Sequence, residues 1–180
     1  MILGLDVSTS ITGATVLDEN GSIIMCNAWD TRNKKHYEDL FVKADCIRLE
    51  LLRVNHYHKI KKIYIEQSLQ SFRSGFSSAH VLSTLSRFNG IVSWLCYRGL
   101  GIKPEYVSAI SARKMCGIKI PKGEKAKEVV LKYLLDNEPT FNIEYTKHGN
   151  PKPGSYDRAD SIVIARAGYI LCQDKQNSTS

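Results

Sequence analysis

No stretch of this 180-residue chain approaches the ~20 consecutive apolar residues that a helical membrane span needs. The first residues run straight into an apolar, strand-like segment and lack the basic-then-apolar pattern of a secretory leader. Cysteine is sparse, odd in number and scattered (Cys26, Cys46, Cys96, Cys116, Cys172), with no CxxC pair. That argues against a disulfide framework or a zinc knuckle and suits core positions in a reducing cytoplasm. The close histidines His56 and His58 have no Cys or carboxylate at metal spacing, and they read as a helix end near water. There is no internal repeat and no linker, so one domain over residues 1–172 is expected, followed by a disordered polar tail over 173–180.

Acid is in deficit. Lys and Arg number 25 against 18 Asp and Glu, a net charge of +7. Excess positive charge suits a polyanionic partner, although charge alone is weak evidence. Its placement says more. Lys103, Arg113, Lys114, Lys119, Lys122, Lys125, Lys127 and Lys132 fall within 103–135, where Glu105, Glu124 and Glu128 are the only acids. Arg53, Lys59, Lys61 and Lys62 form a second cluster. Either group is a solvated surface or a stripe that follows phosphates.

The hydropathy pattern gives strands at 1–7, 12–18 and 22–29, the last two joined by Glu19-Asn20-Gly21. Asn-Gly between apolar runs signals a hairpin, so an antiparallel meander is expected. Residues 37–56 place Leu40, Ala44, Ile47, Leu51 and Val54 on one helical face. A short strand over 62–67 precedes a helix over 78–98. The apolar residues of that helix (Val81, Leu85, Phe88, Val92 and Leu95, with Leu82, Ile91 and Trp94 beside them) suffice to cover a sheet and meet a partner chain. A strand at 105–109, helices at 111–116 and 124–135, and a long Pro- and Gly-containing loop at 136–155 follow. Ser155 is a candidate N-cap for a last helix over 156–172. The order is that of an α/β mixed sheet: an antiparallel meander, then β/α crossovers, with helices on the faces.

Four carboxylates stand out by position. Asp6 ends the first strand, Glu66 ends the fourth, and Asp157 and Asp160 lie three apart at the start of the last helix, on one face. Singly, each has an ordinary reading: a turn cap, a strand terminus, or a complement to the helix dipole. Together they describe a set of acids that cannot all ionise without compensation. Mg²⁺ suits such oxygen ligands, and two such ions can hydrolyse a phosphodiester.

ILGLDVSTSITG at the first strand, IYIEQSL at the fourth, GIKIPKGEKAKEVV in the basic stretch and YDRADSIVIA at the last helix resemble, in that order, the RuvC family of Holliday junction resolvases within the RNase H-like superfamily. The size suits that family, viral or phage members included. The resemblance implies a five-stranded RNase H-like sheet and a homodimer. It implies Mg²⁺- or Mn²⁺-dependent cleavage of four-way DNA junctions, leaving 5′-phosphate and 3′-hydroxyl ends, in DNA recombination and repair. On that basis Asp6, Glu66, Asp157 and Asp160 are the catalytic and metal-binding acids of a two-ion site. Asp6 would bridge the ions, Glu66 would complete one site, and Asp157 with Asp160 the other. Lys122 and Lys125, then Arg113, Lys114 and Lys119, fall in the family's DNA-contacting stretch. Leu69, Phe72 or Phe76 falls where the family carries an apolar wedge, beside Arg73. Lys147, His148 and Lys152 add basic charge to the 136–155 loop. The implied setting is cytoplasmic, bacterial or a virus-infected host. Three other readings stand beside this one: an RNase H-like nuclease acting on flaps, forks or RNA–DNA hybrids, a non-catalytic junction-binding module, and an actin- or sugar-kinase-like ATP-binding domain.

Overall fold

The Asn-Gly turn forms where the pattern predicts it. In the computed structural model, which describes residues 1–67 and 79–177, β1 (Ile2–Asp6) runs antiparallel to β2 (Ile11–Leu17), and β2 antiparallel to β3 (Ile23–Asp30). Gly21 takes the left-handed φ of 82° that the turn requires, and Asp18 Oδ1 accepts from the N–H groups of Asn20 and Ser22. β4 (Lys62–Glu66) adds parallel to β1, and β5 (Glu105–Val107) parallel to β4. The result is a five-stranded mixed sheet of order β3-β2-β1-β4-β5 with helices on both faces, the RNase H-like class expected from the element order and the family motifs.

One face is covered by α1 (Leu40–His58) and α2 (Ala79–Leu100). Asp39 caps α1 by accepting from the N–H groups of Phe41 and Val42, so the helix begins at Leu40 rather than at 37. Ala44, Ile47, Leu51 and Val54 then face Leu3, Leu5, Ala14 and Val16, with Phe88, Val92 and Cys96 of α2 beside them. α3 (Ala109–Met115), α4 (Ala126–Asn137) and α5 (Ser155–Asn177) cover the other face. Strand side chains alternate, so Leu3 and Leu5 point toward α1, and Ile2, Gly4 and Asp6 point toward α5. On β4, Tyr64 and Glu66 take the α5 side in the same way.

α5 lies unusually close to the sheet. A Cβ on Gly4 would come within 2.4 Å of the Ala165 backbone nitrogen, and one on Gly13 within 1.9 Å of the Asp157 carbonyl oxygen. A Cβ on Gly168 would fall 2.2 Å from the Tyr64 ring. A buried hydrogen bond of 2.7 Å between the Thr15 and Ser161 hydroxyls adds a polar tie.

The sequence reading needs three corrections around α5. The helix continues to Asn177, so residues 173–177 belong to it and not to a tail. Ser155 is not the cap: Gly154 carries the carbonyl that accepts from Arg158 N–H, and the Ser155 hydroxyl donates to Lys152 O. The 136–155 segment is not one open loop. Tyr145 bridges Pro151, and Lys152 N–H donates to Glu144 O at 2.8 Å, which makes a small hairpin with Lys147 and His148 at its exposed tip. Phe141 is buried beneath the Arg158 guanidinium, 5.1 Å from its ring, and Glu138 pairs with Arg166.

Candidate active site

The turn after β1 closes without help from Asp6. Ser8 Oγ accepts from the N–H groups of Ser10 and Ile11, and the Thr12 hydroxyl donates to Ser8 O at 3.2 Å. Ser8, not Asp6, is therefore the residue whose side chain caps the turn. Leu5 pairs with Ile65 in the parallel ladder, which puts Asp6 and Glu66 at the C-terminal ends of neighbouring strands. In open α/β sheets that edge is where ligands bind. Asn89, buried on α2, donates to Glu66 O at 3.0 Å, and Gln67 N–H donates to Val107 O at 2.9 Å, fixing the end of β4. Across the other ladder Asp6 pairs with Gly13, directly beneath the Asp157 carbonyl. The first turn of α5 is therefore locked beside the end of β1, and Asp160 follows three residues on.

The four acids act on one another electrostatically. Asp6 is held well above the usual aspartate range, first by burial and then by the charges of Glu66, Asp160 and Asp157. Glu66 is pushed up to about 7, again by burial first and then by Asp160. Asp157 and Asp160 are raised, mainly by burial. Carboxyls this strained lack positive charge. Oxygen-only donors of this kind fit a hard divalent cation such as Mg²⁺ or Mn²⁺. The acids converge without closing into a cage: among the described residues no group of three or more His, Cys, Asp or Glu stands ready to hold an ion.

Lys127 provides part of the missing charge. Its Nζ lies 3.7 Å from Asp160 Oδ2, and its charge lowers the pKa of all four acids. Arg113 assists at Glu66 and Asp160, and Arg32 at Asp157. Sequence reasoning passed over Lys127 as a site residue. Its signal was helical spacing: it stands three before Val130, four before Leu131 and seven before Leu134, the buried stripe of α4. Lys127 itself stays exposed at the start of that stripe, and its ammonium reaches from there to Asp160.

This electrostatic strain has a pH signature in the metal-free protein. Glu66 binds its proton more tightly in the folded chain (about 7) than at its ordinary value of 4.5. The folded state then holds more protons than the unfolded one across that window, so stability is greatest below it and falls as pH rises through it. In EDTA, stability is expected to drop between about pH 5 and about pH 8, by up to about 3 kcal/mol for this group alone, and the thermal midpoint to fall with it. Glu66→Gln should flatten the profile, and Lys127→Met should steepen it. A flat wild-type profile in EDTA would contradict the electrostatic account.

The remaining sequence candidates spread along α3 and α4. Lys114 and Lys119 line a shallow groove with Arg113, and Lys122 is exposed in the turn before α4. Lys125 holds the N-cap position of α4, with its ammonium 2.9 Å from Glu128. Leu69, Phe72, Arg73 and Phe76 lie outside the described residues.

Solved structures share this backbone. Thermus thermophilus RuvC in complex with a Holliday junction substrate superposes with a TM-score of 0.64 at 15% identity, over 96% of this chain and 94% of that one. A second T. thermophilus RuvC structure gives 0.62 at 15% identity, over 96% of each chain. The yeast mitochondrial Holliday junction resolvase Ydc2 gives 0.61 at 17% identity, over 93% of this chain and 77% of that one. No protein-family model and no curated protein matches the sequence. The chain has a RuvC-like fold.

Proposed function

We propose that this protein is a divalent-metal-dependent endonuclease that resolves four-way DNA junctions by paired nicks. The observation that carries the reading is the convergence of Asp6, Glu66, Asp157 and Asp160, from two strand ends and one helix start, around Lys127. The likeness in fold to junction resolvases supports it, as does the net charge of +7. Asp6, Glu66, Asp157 and Asp160 would hold the ions. Two divalent ions, if bound there, would supply the Lewis acidity and water activation that phosphodiester hydrolysis to 5′-phosphate and 3′-hydroxyl ends requires. Arg113 and Lys127 would keep the acid pocket from repelling a phosphate, and Lys122 and Lys125 would follow the strand. A protein of this kind belongs to recombination and repair, in the cytoplasm of a bacterium or of an infected cell.

Paired nicking calls for two copies related by a two-fold axis. The α1–α2 face offers a surface for the second. Phe41, Ile91, Trp94 and Leu95 line an apolar groove of about 730 Å³, with Phe41 77% and Trp94 59% exposed. The test is incubation of the protein with labelled four-way junction, Y-fork and linear duplex, in Mg²⁺ or EDTA, with sedimentation of the same samples. Symmetric nicks in the junction alone, only with metal and from a dimer, are expected. Preferential cutting of the fork would move the protein to the flap and fork nucleases. A junction-bound monomer would remove the paired-nick mechanism.

A further inference from the structure

Apart from Arg32, the cations set beside the acids so far lie on one flank of them. α3 follows directly on β5, and α4 packs beside α5, so Arg113, Lys122, Lys125 and Lys127 all approach from the β5 side. A strand cut at the acids leaves the cut phosphate in two directions. Holding it on one side alone leaves the scissile bond free to swing.

The opposite flank carries a second basic group. β3 is the far edge of the sheet, and its last residue, Asp30, pairs with Ile11 at the same end of the sheet as Asp6. The chain then reads Thr31-Arg32-Asn33-Lys34-Lys35-His36: three permanent cations, one histidine and no acid. The loop is firmly built. Thr31 N–H donates to Ser10 O at 2.8 Å, and its hydroxyl reaches the carbonyls of Thr9 and Ser10. Asn33 O accepts from the N–H groups of His36 and Tyr37, and Asn33 Oδ1 from Lys35 N–H at 3.1 Å. Arg32 is clamped to both oxygens of Asp30, and its charge reaches Asp157, so the loop borders the acid cluster. Lys34 and Lys35 are exposed, and among the described residues their ammonium groups have no hydrogen bond or ion pair. The fold thus sets the backbone of this loop and leaves two of its charges unmatched.

We propose that the 31–36 loop is a second DNA-backbone surface, with Lys34 and Lys35 contacting phosphates of the duplex arm that leaves the cut on the side away from α4. Arg32 is its anchor. The partner's identity rests on the nuclease reading, and the surface itself rests on the loop's own charge and geometry. Lysines aimed at phosphate carry no base readout, so the contact is independent of sequence.

The test is Lys34→Glu with Lys35→Glu, read by binding to a four-way junction in EDTA over a range of salt. Both side chains are exposed and have no hydrogen bond or ion pair among the described residues, so the thermal midpoint should match wild type and serves as the folding control. Affinity is expected to fall about 10-fold, and the log–log salt slope to become shallower by up to about 2. Lys122→Glu with Lys125→Glu should act comparably, and the two pairs should add, since they lie on separate flanks. Hydroxyl-radical footprints should lose protection on opposite sides of the cut in the two double variants. An unchanged affinity and slope in the folded Lys34/Lys35 variant overturns the proposal while leaving the nuclease reading intact. A wild-type protein that binds no DNA removes both.

Discussion

Replacing Asp6 with Asn is expected to abolish junction cleavage while leaving the protein folded and more stable in EDTA than wild type. The substitution keeps the side chain's shape and removes one negative charge. Asp6 is the acid on which the other three act together, and burial already holds its carboxyl toward the neutral form. In metal-free protein its charge is a liability, so stability should rise as its repulsion with Glu66, Asp160 and Asp157 is removed. In the cutting reaction the same charge is what would hold divalent ions. A loss of at least about 10³-fold in cleavage rate is expected, equivalent to about 4 kcal/mol of transition-state stabilisation. Junction binding in EDTA should persist or tighten, because a buried anion no longer faces the phosphates. Opposite movements of stability and activity separate a functional acid from a structural one. Cleavage by Asp6→Asn at the wild-type rate would sink the metal argument.

Gly13→Ala is expected to do comparable damage by another route. The added methyl would lie 1.9 Å from the Asp157 carbonyl oxygen and 2.5 Å from its carbon. Those are backbone atoms in the first turn of a 23-residue helix, so no side-chain rotation relieves the clash and the helix start must lift from the sheet. Overpacking against backbone costs about 3 kcal/mol, a fall in thermal midpoint of about 6–12 °C for a chain of this size. The lift also moves Asp157 and Asp160 away from Asp6 and Glu66. Stabilisation by Mn²⁺, which should be measurable in wild type, is expected to vanish in this variant even at temperatures where it is folded. Ser161→Ala, which loses the hydroxyl tie to Thr15 and the bond donated to Arg158 O but adds no atom at the contact, should cost about 1–2 kcal/mol and retain the metal response. A Gly13→Ala midpoint within a degree or two of wild type would show that the helix is held by something other than this contact.

The pattern of the sequence carried the sheet and the acids for physical reasons. Asn20-Gly21 fixes a hairpin locally, and the apolar stripe Ala44–Ile47–Leu51–Val54 reports its own buried face. A lone acid at the end of an apolar strand stands out because burial of charge is costly. What escaped depends on tertiary contact. Ser155 has the chemistry of a cap, but the chain entering α5 turns at Gly154 (φ 90°), where a Cβ would fall 2.8 Å from Ala28. The continuation of α5 through 173–177 is polar on its outer side, and polar residues at a chain end resemble a tail until a helix is seen beneath them. The hairpin at Glu144–Lys152 is closed by hydrogen bonds that no periodicity announces. Lys127 was legible in spacing but was counted as surface charge, because composition does not tell which lysine in a basic stretch reaches a largely buried acid. Arg32, Lys34 and Lys35 were passed over because three cations in a short loop are unremarkable until the loop is found beside Asp157.

The assembly of the pocket from β1, β4 and α5 also orders events in time. A chain leaving the ribosome presents Asp6 and Glu66 early. Until residues beyond Gly154 emerge, it has neither of the other acids nor the helix that seats against Gly4 and Gly13. Domains complete their folding only when their last packing element is available. On the proposed function, a copy that stops short of α5 is harmless to the genome around it, and the capacity to cut arrives only once α5 has been made.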